Sequence, residues 1–115
     1  MFVLKTGIIF ASNKLCMRSR QEYIDLIKQH QAELLRFGVR SLTLFGSVAR
    51  GEQHEGSDVD IFVDMPPRFL VACAVADYLE DILGCKVDLV RRHKRLSEFF
   101  LNQIKKDGIQ VFTTT

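Results

Sequence analysis

The chain has 115 residues, 47% of them hydrophobic, and a formal charge of +2. That length suits one domain, and the apolar content excludes global disorder. The small net charge argues against a dedicated nucleic-acid binder with a broad basic face, while leaving room for a small basic patch. No apolar run reaches the roughly 18 residues of a membrane span. Gly7 to Ala11, preceded by Lys5, is short and weakly flanked for a signal peptide.

Residues 1–16 show neither clean helical nor strand periodicity, and Met17 is followed at once by a helix start. They are therefore expected to be an extension, non-native or loosely ordered, ahead of a domain at 17–115. Ser19-Arg20-Gln21-Glu22 has the S-x-x-E form of a capping box. The first helix is expected from Arg20 to Phe37, with Tyr23, Ile24, Ile27, Leu34 and Leu35 at helical spacing and Gly38 as its left-handed stop.

Val39 to Phe45 reads as a strand with Leu42 and Leu44 on one face. Gly46-Ser47 breaks it, Ser47 to Arg50 makes a short helical turn, and Gly51 to Gly56 is a polar loop. Asp58 to Val63 is a second strand, closed by Pro66-Pro67. A helix over Arg68 to Leu83 carries Phe69, Ala72, Cys73, Ala76, Leu79 and Leu83 as its expected apolar stripe. Lys86 to Val90 is a third strand and Arg91 to Arg95 a basic connector. Leu96 to Lys106 is a last helix with Leu96, Phe99, Phe100 and Ile104 apolar, and Ile109 to Phe112 a short edge strand. The order predicts one α/β (α+β) domain, a small mixed sheet flanked by helices.

Side chains alternate along a strand, so Asp58, Asp60 and Phe62 share one face and Val59, Ile61 and Val63 form the core face. Two carboxylates with Cα atoms about 6.5–7 Å apart can converge on one metal ion, or on two ions about 3.5–4 Å apart. Oxygen-only ligands favour Mg²⁺ or Mn²⁺ over zinc. Asp64 lies about 13 Å beyond Asp60 along an ideal strand, too far to share the ion, and reads as a strand-end residue. Asp88, alone among the apolar residues of the third strand, is costly there unless paired or liganded. It completes a three-carboxylate cluster if its strand neighbours the second one, and otherwise faces water at an edge. Gly46 lets the backbone approach a ligand, the Ser47 hydroxyl adds a hydrogen bond, and Arg50 stands one turn on, within reach of phosphate oxygens. A phosphate turn and a carboxylate pair alone also fit a hydrolase or a kinase fragment.

Gly46-Ser47, ten intervening residues and then Asp58-Val59-Asp60 resembles the G-S-x10-D-x-D signature of the DNA polymerase β-like nucleotidyltransferase superfamily. The segments Ser47 to Gly51 and Ser57 to Ile61 are similar to its small branch, the minimal nucleotidyltransferases (MNT), and the likeness extends over residues 20–112. The resemblance makes 17–115 a nucleotidyltransferase domain. It implies two Mg²⁺ ions held by Asp58, Asp60 and Asp88, with Asp88 also helping to deprotonate the acceptor. ATP would be the substrate, its triphosphate held by Gly46 and Ser47, with Arg50 as an addition. Only 27 residues follow Asp88, too few for the helical acceptor domain of larger relatives such as aminoglycoside nucleotidyltransferases. The acceptor is therefore expected on another chain or protomer, in a homo- or hetero-oligomer.

For MNT proteins the family implication is an antitoxin that adds AMP to a tyrosine of a HEPN-domain toxin, in a cytoplasmic, type VII-like pair. Two alternatives remain at this level: an antitoxin that neutralises by binding alone, and a transferase acting on RNA ends or a small molecule. No residue reads the nucleotide base. The run Arg91-Arg92-His93-Lys94-Arg95 serves as a solvated connector or as a contact for RNA, an acidic partner or a phosphate tail. His54 and Glu55 read as exposed loop, and Tyr23 and Tyr78 as core or partly exposed. Cys16, Cys73 and Cys85 form no metal or C-x-x-C spacing and read as reduced thiols.

Overall fold

The computed structural model describes residues 19–52 and 58–114. The expectations for residues 1–16, His54, Glu55 and Cys16 lie outside these. In chain order the described elements are α1 (Arg20–Gln29), α2 (Gln31–Phe37), β1 (Ser41–Phe45), α3 (Gly46–Arg50), β2 (Val59–Asp64), α4 (Phe69–Leu83), β3 (Val87–Arg91), α5 (Glu98–Asp107) and β4 (Ile109–Thr113).

The capping box forms as the sequence predicts: Ser19 Oγ accepts the Glu22 N–H at 3.1 Å, and Glu22 Oε1 accepts the Ser19 N–H at 2.7 Å. The single helix expected over Arg20 to Phe37 is instead two, broken at His30. In a continuous α-helix the His30 N–H would donate to Leu26 O. Here it donates to Ile27 O at 3.0 Å, while the ring Nδ1 takes Leu26 O at 2.9 Å. The side chain has displaced the main chain from its acceptor. Beyond the break Leu34 stays buried, but Leu35 is 38% exposed and does not join the core as expected. Gly38, at φ 102°, ends α2 in the left-handed conformation.

The sheet order is β3-β2-β1-β4. β1 runs antiparallel to both neighbours, and β2 and β3 are parallel, joined by α4 as the crossover. This is the small mixed sheet the sequence predicts, with β4 at one edge. Leu42, Leu44, Val59, Ile61 and Val63 are fully buried. Each such side chain stabilises the fold by about 1.5–3 kcal/mol relative to exposure. They meet Tyr23, Ile27 and Leu34 from the first two helices, and Val75, Leu79 and Leu83 from α4, in one core.

Two helices present a different face from the one expected. On α4 the buried stripe is Val75, Leu79 and Leu83; Phe69 is 78% exposed, and Cys73 also faces out. Residues 69–76 are all apolar, so spacing alone leaves two candidate faces, and the sheet takes the one that continues through Leu79 and Leu83. On α5, capped by Ser97 Oγ accepting the Phe100 N–H at 3.1 Å, Ile104 is buried but Phe99 is 73% exposed. Gly108 stops α5 with an ordinary extended backbone. Its lack of a side chain matters for closeness, since a Cβ there would meet Ile104 O and Thr43 Cγ2.

Cys73 is exposed, and Cys85 is buried with its thiol 3.9 Å from the Tyr23 hydroxyl. Tyr23 is in the core, and Tyr78 is half-buried against His30 and Phe37. Among the described residues no helix is long and apolar enough to cross a membrane.

Candidate active site

β1 ends at Phe45, and the chain enters α3 through Gly46 at φ 73°. A side chain is excluded there twice over: left-handed backbone disfavours it, and a Cβ would collide with Asp60 Oδ2 and lie 3.1 Å from Asp60 Cγ. Phe45 and Asp60 are direct partners in the β1–β2 ladder. The turn and the second aspartate of the D-x-D pair are therefore in contact, although they are fourteen positions apart in sequence. α3 closes with the Gly51 N–H donating to Val48 O at 3.0 Å, the Glu52 N–H to Ser47 O at 2.8 Å, and Arg20 Nη1 to Ala49 O at 2.8 Å.

Asp58 stands exposed just before β2, and Asp60 is half-buried within it. Asp88 is the in-register partner of Asp60 across the parallel β2–β3 ladder. Adjacent strands lie about 4.8 Å apart, so Asp88 does neighbour the pair, as the three-carboxylate reading requires. The electrostatics agree. The Asp60 carboxyl is held above its ordinary pKa, first by burial and then by the negative charges of Asp88 and Asp58, with Arg50 pulling the other way. Negative charge is in excess at this point of the sheet. Among the described residues, however, no three His, Cys, Asp or Glu side chains are drawn together as a ready-made metal cage.

Arg50 donates from Nε to Glu52 Oε1 at 2.9 Å and is exposed. The Glu52 contact raises its pKa first, burial opposes, and Asp107 and Asp60 add to the rise. Asp64 is away from this cluster, 3.5 Å from Arg40 Nη2 at the far end of β2, as its strand-end reading expects. Arg92 to Arg95 form an exposed loop after β3.

Sequence reasoning missed the wall beside the turn. Phe100 of α5 meets Phe45 edge-on at 5.6 Å and Phe62 at 6.0 Å. With Gly46, Arg50, Gln103, Ile104 and Asp107, Phe45 and Phe100 line a cleft of about 280 Å³. The helical spacing places Phe100 inward but does not say that it lands on the Asp60 face. Nothing local marks Glu52 as the partner of Arg50.

Residues 22–115 match the polymerase beta nucleotidyltransferase family. The chain belongs to that family. Among relatives of this nucleotidyltransferase, the protein adenylyltransferase MntA of Thermococcus cleftensis is 43% identical over 81 residues, covering 68% of this chain and 82% of the relative. Among solved structures, one described provisionally as a minimal nucleotidyltransferase is 27% identical, with a TM-score of 0.69, covering 81% of this chain and 96% of that one. A toxin–antitoxin crystal structure with AMP-PNP is 29% identical, with a TM-score of 0.60, covering 76% of this chain and 73% of that one.

Proposed function

We propose that this nucleotidyltransferase transfers AMP from ATP to a hydroxyl, a tyrosine in the family reading, of a partner HEPN-domain toxin, and so acts as the antitoxin of a cytoplasmic pair. The observation that carries it is the contact chain Gly46–Asp60–Asp88: a ligand-approach turn against one carboxylate, itself in register with another. The relative named as a protein adenylyltransferase and the toxin–antitoxin structure with AMP-PNP support the substrate and the partner class.

The acceptor oxygen attacks the α-phosphorus, forming a new O–P bond. The bond from the α-phosphorus to the oxygen bridging the β-phosphate breaks, and pyrophosphate leaves. Asp88 receives the hydroxyl proton and passes it to water. Gly46 allows main-chain approach to the triphosphate, Ser47 donates its hydroxyl, and Arg50 exchanges Glu52 for a phosphate oxygen. Phe45 and Phe100 keep one side of the site dry. Asp58, Asp60 and Asp88 form an all-oxygen donor set with surplus negative charge, which fits hard divalent cations such as Mg²⁺. When bound, such ions lower the hydroxyl pKa and offset charge on the leaving group.

The test is incubation with α-labelled ATP, Mg²⁺ and the HEPN partner; a folded enzyme that leaves the partner unlabelled refutes transfer. Neutralisation by binding alone is the second reading, supported by the likeness to a toxin–antitoxin crystal structure. Asp58→Asn with Asp60→Asn separates the two: binding would survive it and transfer would not.

A further inference from the structure

β3 is an edge strand of the described sheet. The Val59 N–H donates to Lys86 O at 3.0 Å, and the Arg92 N–H to Val63 O at 2.8 Å. In a parallel ladder this turns residues 86, 88, 90 and 92 toward β2. Leu89 and Arg91, between them, direct their main-chain N–H and C=O groups to the open edge. At the start of the strand the Val87 N–H is taken by Glu80 Oε2 at 3.1 Å, so the available edge begins after it.

Along this edge, between β3 and α4, runs a groove of about 460 Å³. Phe69, Ala72, Cys73, Ala76 and Leu89 give it an apolar floor, Arg68 and Arg91 are its charged lining, and among the described residues no acidic one lines it. Leu70, beside Phe69, is 79% exposed. Arg92, His93, Lys94 and Arg95 extend the positive charge from Arg91. This is the outer apolar side of α4, of which Ala72 also packs against the core.

We propose that this edge docks the acceptor protein through an extended segment that adds to the sheet beside β3; the inference rests on the reading that the acceptor is a partner protein. Strand addition satisfies the open main-chain groups of Leu89 and Arg91 and sends alternate side chains to opposite faces. On the core face, apolar side chains of the segment enter the groove and acidic ones meet Arg68 and Arg91. On the other face, the intervening side chain stands beside Asp88, where the reacting hydroxyl is required. The occupant is thus an extended segment, apolar and acidic at alternate positions, with a hydroxyl residue between them. A second copy of this chain is disfavoured, because it would bring two Arg68 and Arg91–Arg95 clusters together. RNA has no use for an apolar floor with an open main-chain edge.

The test uses the full chain with Cys16→Ser, which leaves Cys73 as the reactive thiol because Cys85 is buried. Cys73 carries a benzophenone maleimide, and the probe is the HEPN partner. Irradiation should link Cys73 to a partner peptide within a few residues of the hydroxyl that accepts AMP. Crosslinks to residues 1–16 of this chain, to a second copy, to co-purifying RNA or to a distant part of the partner overturn the proposal. In parallel, Phe69→Glu and Arg91→Glu should each weaken partner binding, measured without nucleotide, by about tenfold. They should raise KM for the partner with kcat at saturation unchanged. Affinity for AMP-PNP and the melting temperature should stay at wild-type values for Phe69→Glu. Unchanged partner affinity in both variants overturns the docking site. Because docking is read without nucleotide, its failure is distinct from failure of AMP transfer.

Discussion

Gly46 and Asp60 touch so closely that no side chain fits at position 46. Gly46→Ala should therefore abolish transfer, by about 100-fold or more in kcat/KM, and destabilise the fold by about 1–3 kcal/mol. Gly51 is the control. Its φ is 72°, nearly that of Gly46, but no described residue lies within 4 Å of a Cβ built there. Gly51→Ala should cost only left-handed strain, about 1–2 kcal/mol, with transfer near wild type. Urea denaturation and labelled-ATP assays on both variants measure the difference.

The charged form of Asp60 is costly to the fold, through burial and the neighbouring Asp88 and Asp58. Its folded-state pKa is above the unfolded value, so the native state binds the proton more tightly. Stability is then greatest below the ordinary carboxylate pKa and falls as pH rises through the raised one. Asp60→Asn removes that loss. It should melt higher than wild type at pH 7 in EDTA, and the difference should close as the pH is brought below 4. Transfer should fall by about 100-fold or more. A variant that melts lower at pH 7 contradicts this electrostatic account.

The core consists of apolar side chains packed on a hydrogen-bonded sheet, and Asp58, Asp60 and Asp88 are no part of it. Chelation should therefore abolish transfer while leaving the melting temperature of the dialysed protein unchanged. Adding Mg²⁺ should raise it in proportion to RT ln(1 + [L]/Kd). The same titration on Asp58→Asn and Asp88→Asn should show smaller shifts, which calorimetry can follow.

The two faces of α4 predict opposite outcomes. Leu79→Ala empties a fully buried position and should cost about 2–5 kcal/mol. Phe69→Ser removes a large side chain that is mostly in water and should change stability by less than about 0.5 kcal/mol. At the start of the domain, Ser19→Ala should cost about 1 kcal/mol through loss of the cap, with kcat untouched.

Much of the site was legible before the structure. Alternation assigned Val59, Ile61 and Val63 to the core and Asp60 to the opposite face, because a strand has only two sides. Asp88 stood out because an acid amid Val87, Leu89 and Val90 needs a reason. The misses have physical causes too. His30 breaks a helix through its own ring nitrogen, which no periodicity encodes. Phe69 reads as part of the apolar stripe because spacing does not say which of two candidate faces a sheet will take. The Phe100 wall depends on how α5 meets β1 and β2, which is a matter of tertiary packing. Membership of the polymerase beta nucleotidyltransferase family rested on a motif spread over two strands, and the fold brings its parts together.

The parallel pairing of β2 and β3 brings one further consequence, for folding fidelity. A slip that set Asp88 in the place of Val87, opposite Val59, would turn it from the side of Asp60 into a buried core position. Burying an unpaired carboxylate there costs several kcal/mol. Parallel pairing across a helical crossover is slow to form and open to such errors. Asp88 therefore penalises the misregistered chain: the group proposed to take the proton also proofreads the strand that carries it.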